Sequence, residues 1–222
     1  MASQVKDTLL ADSIRLSFGN FNLLNGAWLR SETGKVTGVL GRNGSGKSCM
    51  FRAIMGGLKT QELFVRVNDE IVTGSAEMGK HIKYLAQKTF LLPDLTLTET
   101  FTYFNADFDA FTDDFPKFLQ YPDTPVKKLS GGEVRIVEIW LCLCSDSPFC
   151  ILDEPFAYLA PVAVEVIQKL IQREKSRKGI IISDHNYEAL LEVSDEVLLL
   201  ADGYVHLIKE RSDLVRYGYC RR

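Results

Sequence analysis

Gly41, Arg42, Asn43, Gly44, Ser45, Gly46, Lys47 and Ser48 match the pattern G-x-x-x-x-G-K-[ST] at every fixed position. The chemistry of that pattern is phosphate binding. Glycine-rich backbone lets amide N–H groups wrap an oxyanion, the Lys47 ammonium reaches the outer phosphates, and the Ser48 hydroxyl is a hard oxygen ligand for Mg²⁺. A second run, Leu129, Ser130, Gly131, Gly132 and Glu133, places two glycines where a helix begins, and the unpaired N–H groups and positive dipole end there attract anions. Ser130 and Glu133, three apart, also fit a capping box, and taken alone that is the simpler account. A third run, Phe149, Cys150, Ile151 and Leu152, ends in Asp153 and Glu154. Such acids often only cap or turn, but these lie downstream of a phosphate loop, where Asp153 is placed to hold Mg²⁺, directly or through water. Glu154 is then free to act as the general base for water attacking the terminal phosphate.

The elements that must position these groups alternate. Val36 to Leu40 reads as a buried strand feeding the glycine loop, and Cys49 to Met55 as the helix after it, stopped by Gly56 and Gly57. Ile82 to Ala86, the run Phe149 to Glu154 and Gly179 to Ser183 read as further buried strands, with an amphipathic helix over Val162 to Lys175. Glu196 to Ala201 and Tyr204 to Ile208 flank Asp202-Gly203, a hairpin signal. This alternation predicts a parallel α/β core, which places ligands at the carboxyl ends of its strands. Ser13 to Phe18, Gly26 to Arg30, Phe64 to Asn68 and Glu70 to Thr73 predict a separate antiparallel portion.

Composition bounds the answer. The 222 residues, 46% hydrophobic, suffice for one sizeable core, and no internal repeat or linker divides them. No apolar run approaches the roughly 20 residues that span a bilayer, and Met1 to Asp12 has no apolar signal-peptide stretch. A net charge of -3 gives no electrostatic footprint for nucleic acid, so no nucleic-acid partner is expected. The five cysteines lack zinc spacing, and Cys142 and Cys144 fall in an apolar helical pattern, as reduced core residues of a cytosolic protein would.

With the three motifs in this order, the chain resembles the ATP-binding cassette (ABC) ATPases over nearly its whole length. The resemblance implies one domain over residues 1–222: a P-loop NTPase core with a mostly parallel sheet, an antiparallel β subdomain, and a short helical subdomain inserted at about 88–128. It implies ATP and Mg²⁺ as ligands, bound through Gly41, Asn43, Gly44, Ser45, Gly46, Lys47 and Ser48, with Ser48, Gln87 and Asp153 toward the metal. Gln87 matches the glutamine that senses metal and attacking water, His185 the switch histidine at the γ-phosphate, and Phe18, 23 residues before Gly41, the aromatic that stacks on adenine. Glu154, His185 and Gln87 are the expected catalytic set. Ser130, Gly131 and Gly132 face away from the P-loop of the same chain in this family. A homodimer that sandwiches two ATP molecules between the P-loop of one copy and the signature run of the other is therefore implied. Implied as well are integral membrane transporter subunits as partners and a cytoplasmic position, peripheral at the inner face of the membrane. Two alternatives stand beside the transporter subunit: a soluble ABC ATPase outside transport, and a weakly hydrolysing regulatory ATP-binding module.

Local departures qualify the match. Ala160 stands where the family carries an aspartate in the loop that joins the two active sites, and Glu133 replaces the commoner glutamine. Phe156, Ala157, Asp184, His185 and Asn186 are similar to the lipopolysaccharide-export and branched-chain amino-acid branches, from which Tyr158 and Ala160 depart. Phe101, Phe104, Phe108, Phe111, Phe115 and Phe118 recur at helical spacing, and Pro116 with Asp107, Asp109, Asp113 and Asp114 predicts two short helices. The rings are the core of the small subdomain or, where exposed, a groove for a helix of a membrane subunit. Arg211, Arg216, Arg221 and Arg222 form a basic end read as a solvated tail or, where the complex sits on a membrane, a contact for anionic lipid.

Overall fold

A computed structural model describes residues 6–219, so Arg221 and Arg222 and the start of the Met1 to Asp12 segment lie outside the described residues. The chain begins with β1 (Thr8–Phe18), β2 (Phe21–Glu32), β3 (Val36–Leu40) and α1 (Lys47–Ile54), then β4 (Glu62–Val67), β5 (Glu70–Ile71), α2 (Ser75–His81) and β6 (Ile82–Leu85). Helices α3 (Leu97–Tyr103), α4 (Phe108–Asp114) and α5 (Gly131–Leu143) follow, with 3-10 turns at Pro116–Gln120 and Val126–Lys128. The remainder is β7 (Phe149–Asp153), α6 (Pro161–Glu174), β8 (Gly179–Ser183), α7 (Tyr187–Val193), β9 (Glu196–Ala201), β10 (Tyr204–Ile208) and α8 (Arg211–Arg216).

Six strands form the main sheet in the order β10-β9-β3-β8-β7-β6, parallel except for β10. Side chains alternate between its faces. Val39, Ile151, Ile181 and Leu198 pack toward α1 and the antiparallel strands, while Leu40, Leu152, Ile182 and Leu199 pack against a core that includes α5, α6 and α7. The carboxyl ends of β3, β6, β7 and β8 lie on one edge, so the glycine loop, Gln87, Asp153, Glu154 and His185 converge there.

The four-stranded antiparallel sheet has the order β2-β1-β4-β5. Strands β1 and β2 run longer than the hydrophobic pattern predicts. Their pairing shifts register after Ala11 and after Ile14, and Ser13 and Gly26 both adopt positive φ, so bulges break the alternation that pattern reading depends on. Strand β5 is shorter than predicted. It closes a tight hairpin at Asn68 and Asp69, both with positive φ, as Asp202 and Gly203 do between β9 and β10.

The phenylalanine stripe is distributed over three elements, because the chain breaks after Tyr103 and again at Phe115-Pro116. Phe101, Phe111, Phe115 and Phe118 are buried, and Phe101 and Phe111 pack on Trp140 of α5 with ring centroids 5.5 and 5.7 Å away. At about 1.5–3 kcal/mol for each buried ring, these four hold the helical layer onto α5. Phe104 differs, being 37% exposed and edge-on to Phe90. Cys142 and Cys150 are buried and Cys144 is half-buried, all free; burial pushes the Cys144 and Cys150 thiols up to about 12, which leaves them protonated and unreactive.

Candidate functional site

The glycine loop leaves β3 and enters α1 at Lys47, one position past Gly46, whose φ of 105° is open to glycine and strained for any other residue. Lys47 is 6% exposed, and its Nζ donates to the carbonyls of Gly41 at 2.7 Å and Arg42 at 3.5 Å. Burial holds its ammonium below the ordinary lysine value, against the pull of Glu154, Asp153 and Asp184. Ser45 Oγ, in the same loop, is buried with no hydrogen-bond partner. A buried cation and an orphaned hydroxyl are donors held ready for an oxyanion.

Opposite the loop, Asp153 ends β7 with no exposure, its Oδ1 accepting from Ser183 Oγ at 2.7 Å and its Oδ2 from Tyr84 OH at 3.2 Å. Burial and the carboxylate together push the Tyr84 phenol up, so it remains a donor. Glu154 follows in a left-handed conformation, φ 53°, with its N–H on the Ser183 carbonyl at 2.7 Å. Its Oε1 accepts from Gln87 Nε2 at 3.0 Å and lies 2.8 Å from His185 Nε2, while Gln87 Nε2 also donates to Ser48 Oγ at 3.1 Å. Asp184 accepts from the N–H groups of Phe156 and Asn186; burial pushes its carboxyl up, and those two hydrogen bonds oppose the shift. They also fix the loop after Glu154 against the loop that carries His185.

Of the sequence-predicted residues, Asn43, Gly44, Gly46, Lys47, Ser48, Gln87, Glu154 and His185 line one cleft of about 430 Å³, with Leu23 and Arg42. Gly41 and Ser45 belong to the same loop, and Asp153 lies beneath Glu154. Phe18 sits at the β1 end, 52% exposed and outside this lining. Ser130, Gly131 and Gly132 also lie outside it, at the start of α5. The capping box is present there: Ser130 Oγ accepts from the Glu133 N–H at 3.3 Å, and Glu133 accepts from the Ser130 N–H at 2.9 Å. The backbone bond from Ser130 holds the Glu133 carboxyl below its ordinary range. A Cβ added at Gly131 would meet nothing within 4 Å, so nothing within the described residues requires glycine at that position.

Three contributors escaped the sequence. Tyr84 shares a strand face with Ile82 two residues before it, which sets its ring on the α1 side of the sheet, edge-on to Phe51. Ser183 ends the neighbouring strand opposite Asp153. Arg135, on α5, donates from Nη1 to the Ala86 carbonyl at 2.7 Å, and from Nη2 to the carbonyls of Asp153 at 2.6 Å and Glu154 at 3.1 Å. Its signal is a charge pair, Arg135 with Glu138, inside an otherwise apolar helical run.

A cleft of about 790 Å³ runs on the other side of β6, lined in part by Lys83, Tyr84, Phe90, Phe104, Trp140 and Cys144. Among the described residues no helix is long and apolar enough to cross a membrane.

The family described as ABC transporter matches residues 24–157. An uncharacterized ABC transporter ATP-binding protein of Rhizobium meliloti is 31% identical, the match covering 97% of this chain and 85% of that protein. The lipopolysaccharide export system ATP-binding protein LptB of Acidithiobacillus ferridurans is 29% identical over 90% of this chain and 89% of its own. Among solved structures, the ATP-binding subunit of an ABC transporter superposes with a TM-score of 0.81 at 20% identity, covering 96% and 95% of the two chains, which shows a shared fold.

Proposed function

The chain belongs to the ABC transporter family, as an ATP-binding subunit whose ATP hydrolysis serves transport, and from that premise we propose how its residues divide the work. The observation that carries the proposal is the hydrogen-bonded cluster of Ser48, Gln87, Glu154 and His185 facing Lys47 across one cleft. Lys47 and the loop amides hold the β- and γ-phosphates, an anion that satisfies the desolvated ammonium. Ser48 and Asp153 carry hard oxygens, and Gln87, whose Nε2 bonds Ser48 and Glu154, would offer its amide oxygen on turning over; that donor set suits Mg²⁺, which takes one or two carboxylates and completes its shell with phosphate and water. When bound, the ion neutralises charge on the phosphates. Glu154 accepts the proton of the attacking water, and His185, which shares an oxygen of Glu154, faces the γ-phosphate. Phe18 stacks on adenine.

Ser130, Gly131 and Gly132 serve a second copy. They lie outside this chain's own cleft, and Gly131 has open space on its Cβ side, which supports a two-fold dimer with ATP between the P-loop of one copy and α5 of the other, completing two sites. The larger cleft beside β6 accepts a helix of an integral membrane subunit. Phe104 is the member of the phenylalanine stripe that lines it, alongside Phe90, while the buried rings support the helical layer from within. The chain would thereby sit peripherally at the inner face of a membrane. Curated relatives that are transporter ATP-binding proteins favour this over a soluble non-transport ATPase or a regulatory module.

The test is Glu154→Gln with Mg-ATP on size-exclusion chromatography. Turnover falls on the order of 10³-fold while ATP accumulates in a dimer. A variant that stays monomeric at saturating Mg-ATP contradicts the sandwich.

A further inference from the structure

Arg135 and Glu138 form a buried pair on α5. The Glu138 side chain is 2% exposed and that of Arg135 is 11% exposed, with Arg135 Nη1 3.6 Å from Glu138 Oε2. The other oxygen of Glu138 accepts the Phe90 N–H at 2.8 Å, and Phe90 lines the large cleft. At its own end, the guanidinium holds three carbonyls, those of Ala86, Asp153 and Glu154. Ala86 precedes Gln87, so one side chain fixes the backbone beside both groups that hold the water-activating cluster together. Glu154 needs such fixing. Its left-handed backbone is one a non-glycine residue keeps only where surrounding bonds over-determine it, here the Ser183 carbonyl on its N–H and Arg135 on its carbonyl.

We infer that Arg135 and Glu138 are positioning residues for hydrolysis, fastening α5 and the Phe90 wall of the large cleft to the backbone that sets Gln87 and Glu154. A guanidinium suits the task because its planar fork offers several fixed donors, whereas an ammonium reaches fewer carbonyls. The inference rests on the proposed role of Glu154. It adds that a rigid displacement of α5 or of Phe90 moves the catalytic backbone without passing through the P-loop, since neither Arg135 nor Glu138 has a hydrogen bond to residues 41–48.

The experiment compares the full chain with Arg135→Met, Arg135→Lys and Glu138→Gln. It reads three quantities: ATP affinity with a fluorescent ATP analogue, steady-state kcat, and amide hydrogen exchange by mass spectrometry. The expected result for Arg135→Met is affinity within about twofold of wild type, kcat lower by about 10²-fold, and faster exchange confined to residues 84–91 and 153–157. Arg135→Lys recovers part of kcat. Glu138→Gln keeps the acceptor for Phe90 but loses the charge, and lowers kcat less than Arg135→Met does. If Arg135→Met does not fold, Glu138→Gln decides by the same readouts. A kcat within twofold of wild type, or affinity and kcat falling together with exchange rising throughout α1 and α5, overturns the positioning role. A wild type that binds ATP without turnover would instead count against the proposed function, and the exchange pattern still tests the pair.

Discussion

The cleft at Lys47 and the run at Ser130 both lie at helix starts, yet their surroundings differ. At Lys47 the surroundings are closed: Glu154, Gln87, Ser48 and His185 bond to one another, and the ammonium is desolvated. At Ser130 the hydroxyl and the Glu133 carboxylate are engaged in the helix cap, a Cβ at Gly131 would meet nothing within 4 Å, and Gly132 lies against the Tyr158 carbonyl. The first region brings several groups to bear on one cleft; on the proposed reading the second serves a nucleotide held by another copy. The lesson is that a motif by itself does not say whether it serves its own chain; the groups around it are what separate the two regions.

The largest expected effect breaks the comparison at its open end. A Cβ at Gly131 meets nothing within 4 Å, so with Gly131→Val thermal stability and ATP affinity are expected to stay near wild type, while turnover falls on the order of 10³-fold, the scale of losing a preorganised donor in the transition state. Calorimetry and a steady-state assay check this pair of outcomes. Equal losses of turnover and binding would place Gly131 in its own chain's site.

At the closed end, Lys47→Met removes charge-assisted bonds to phosphate worth about 3 kcal/mol, on the order of 10²-fold in ATP affinity, and leaves α5 untouched. The same substitution tests the desolvated ammonium by pH. Burial holds the folded-state value of Lys47 below the ordinary 10.5, so between those two values the unfolded chain keeps a proton that the folded chain has released. Stability of the nucleotide-free wild type relative to Lys47→Met therefore rises with pH through that window. Urea midpoints for both proteins from pH 7 to 10 measure the difference. A flat difference would mean that the ammonium is solvated.

The smallest effect sharpens the link between the two regions. Ala160 is the N-cap of α6 and provides no side-chain cap, with Pro161 following at the first helical position. Ala160→Asp supplies the missing acceptor and is expected to stabilise the chain by about 1 kcal/mol. Differential scanning calorimetry checks it, and an unchanged melting temperature would show that the loop cannot turn a carboxylate back onto α6. Tyr158, two residues earlier, is 98% exposed with a positive φ; nothing within the described residues explains an aromatic there.

Much of this was legible in the chain. Strands β3, β8, β9 and β10 begin and end where their apolar runs do, because buried parallel strands and a tight Asp-Gly hairpin mark their own limits. The cleft residues were legible because phosphate chemistry demands particular types at fixed spacing. The full lengths of β1 and β2 were not, since bulges at Ser13 and Gly26 break the two-residue period. Arg135 was invisible for another reason: its partners at Ala86, Asp153 and Glu154 are carbonyls, which carry no residue identity. The phenylalanine stripe was visible as a period but not as three separate elements, whose assembly depends on Trp140.

The most direct test of the two half-sites mixes the broken copies. Lys47→Met keeps an intact α5 start and Gly131→Val keeps an intact cleft, so an equal mixture forms mixed dimers with one complete composite site. The measurement is ATPase activity of the mixture against the sum of the two variants assayed separately. Recovery toward about a quarter of the wild-type rate, the share of complete sites when half the dimers are mixed, is the expected result. Activity no greater than the sum would contradict the account, since each site would then be built within a single chain.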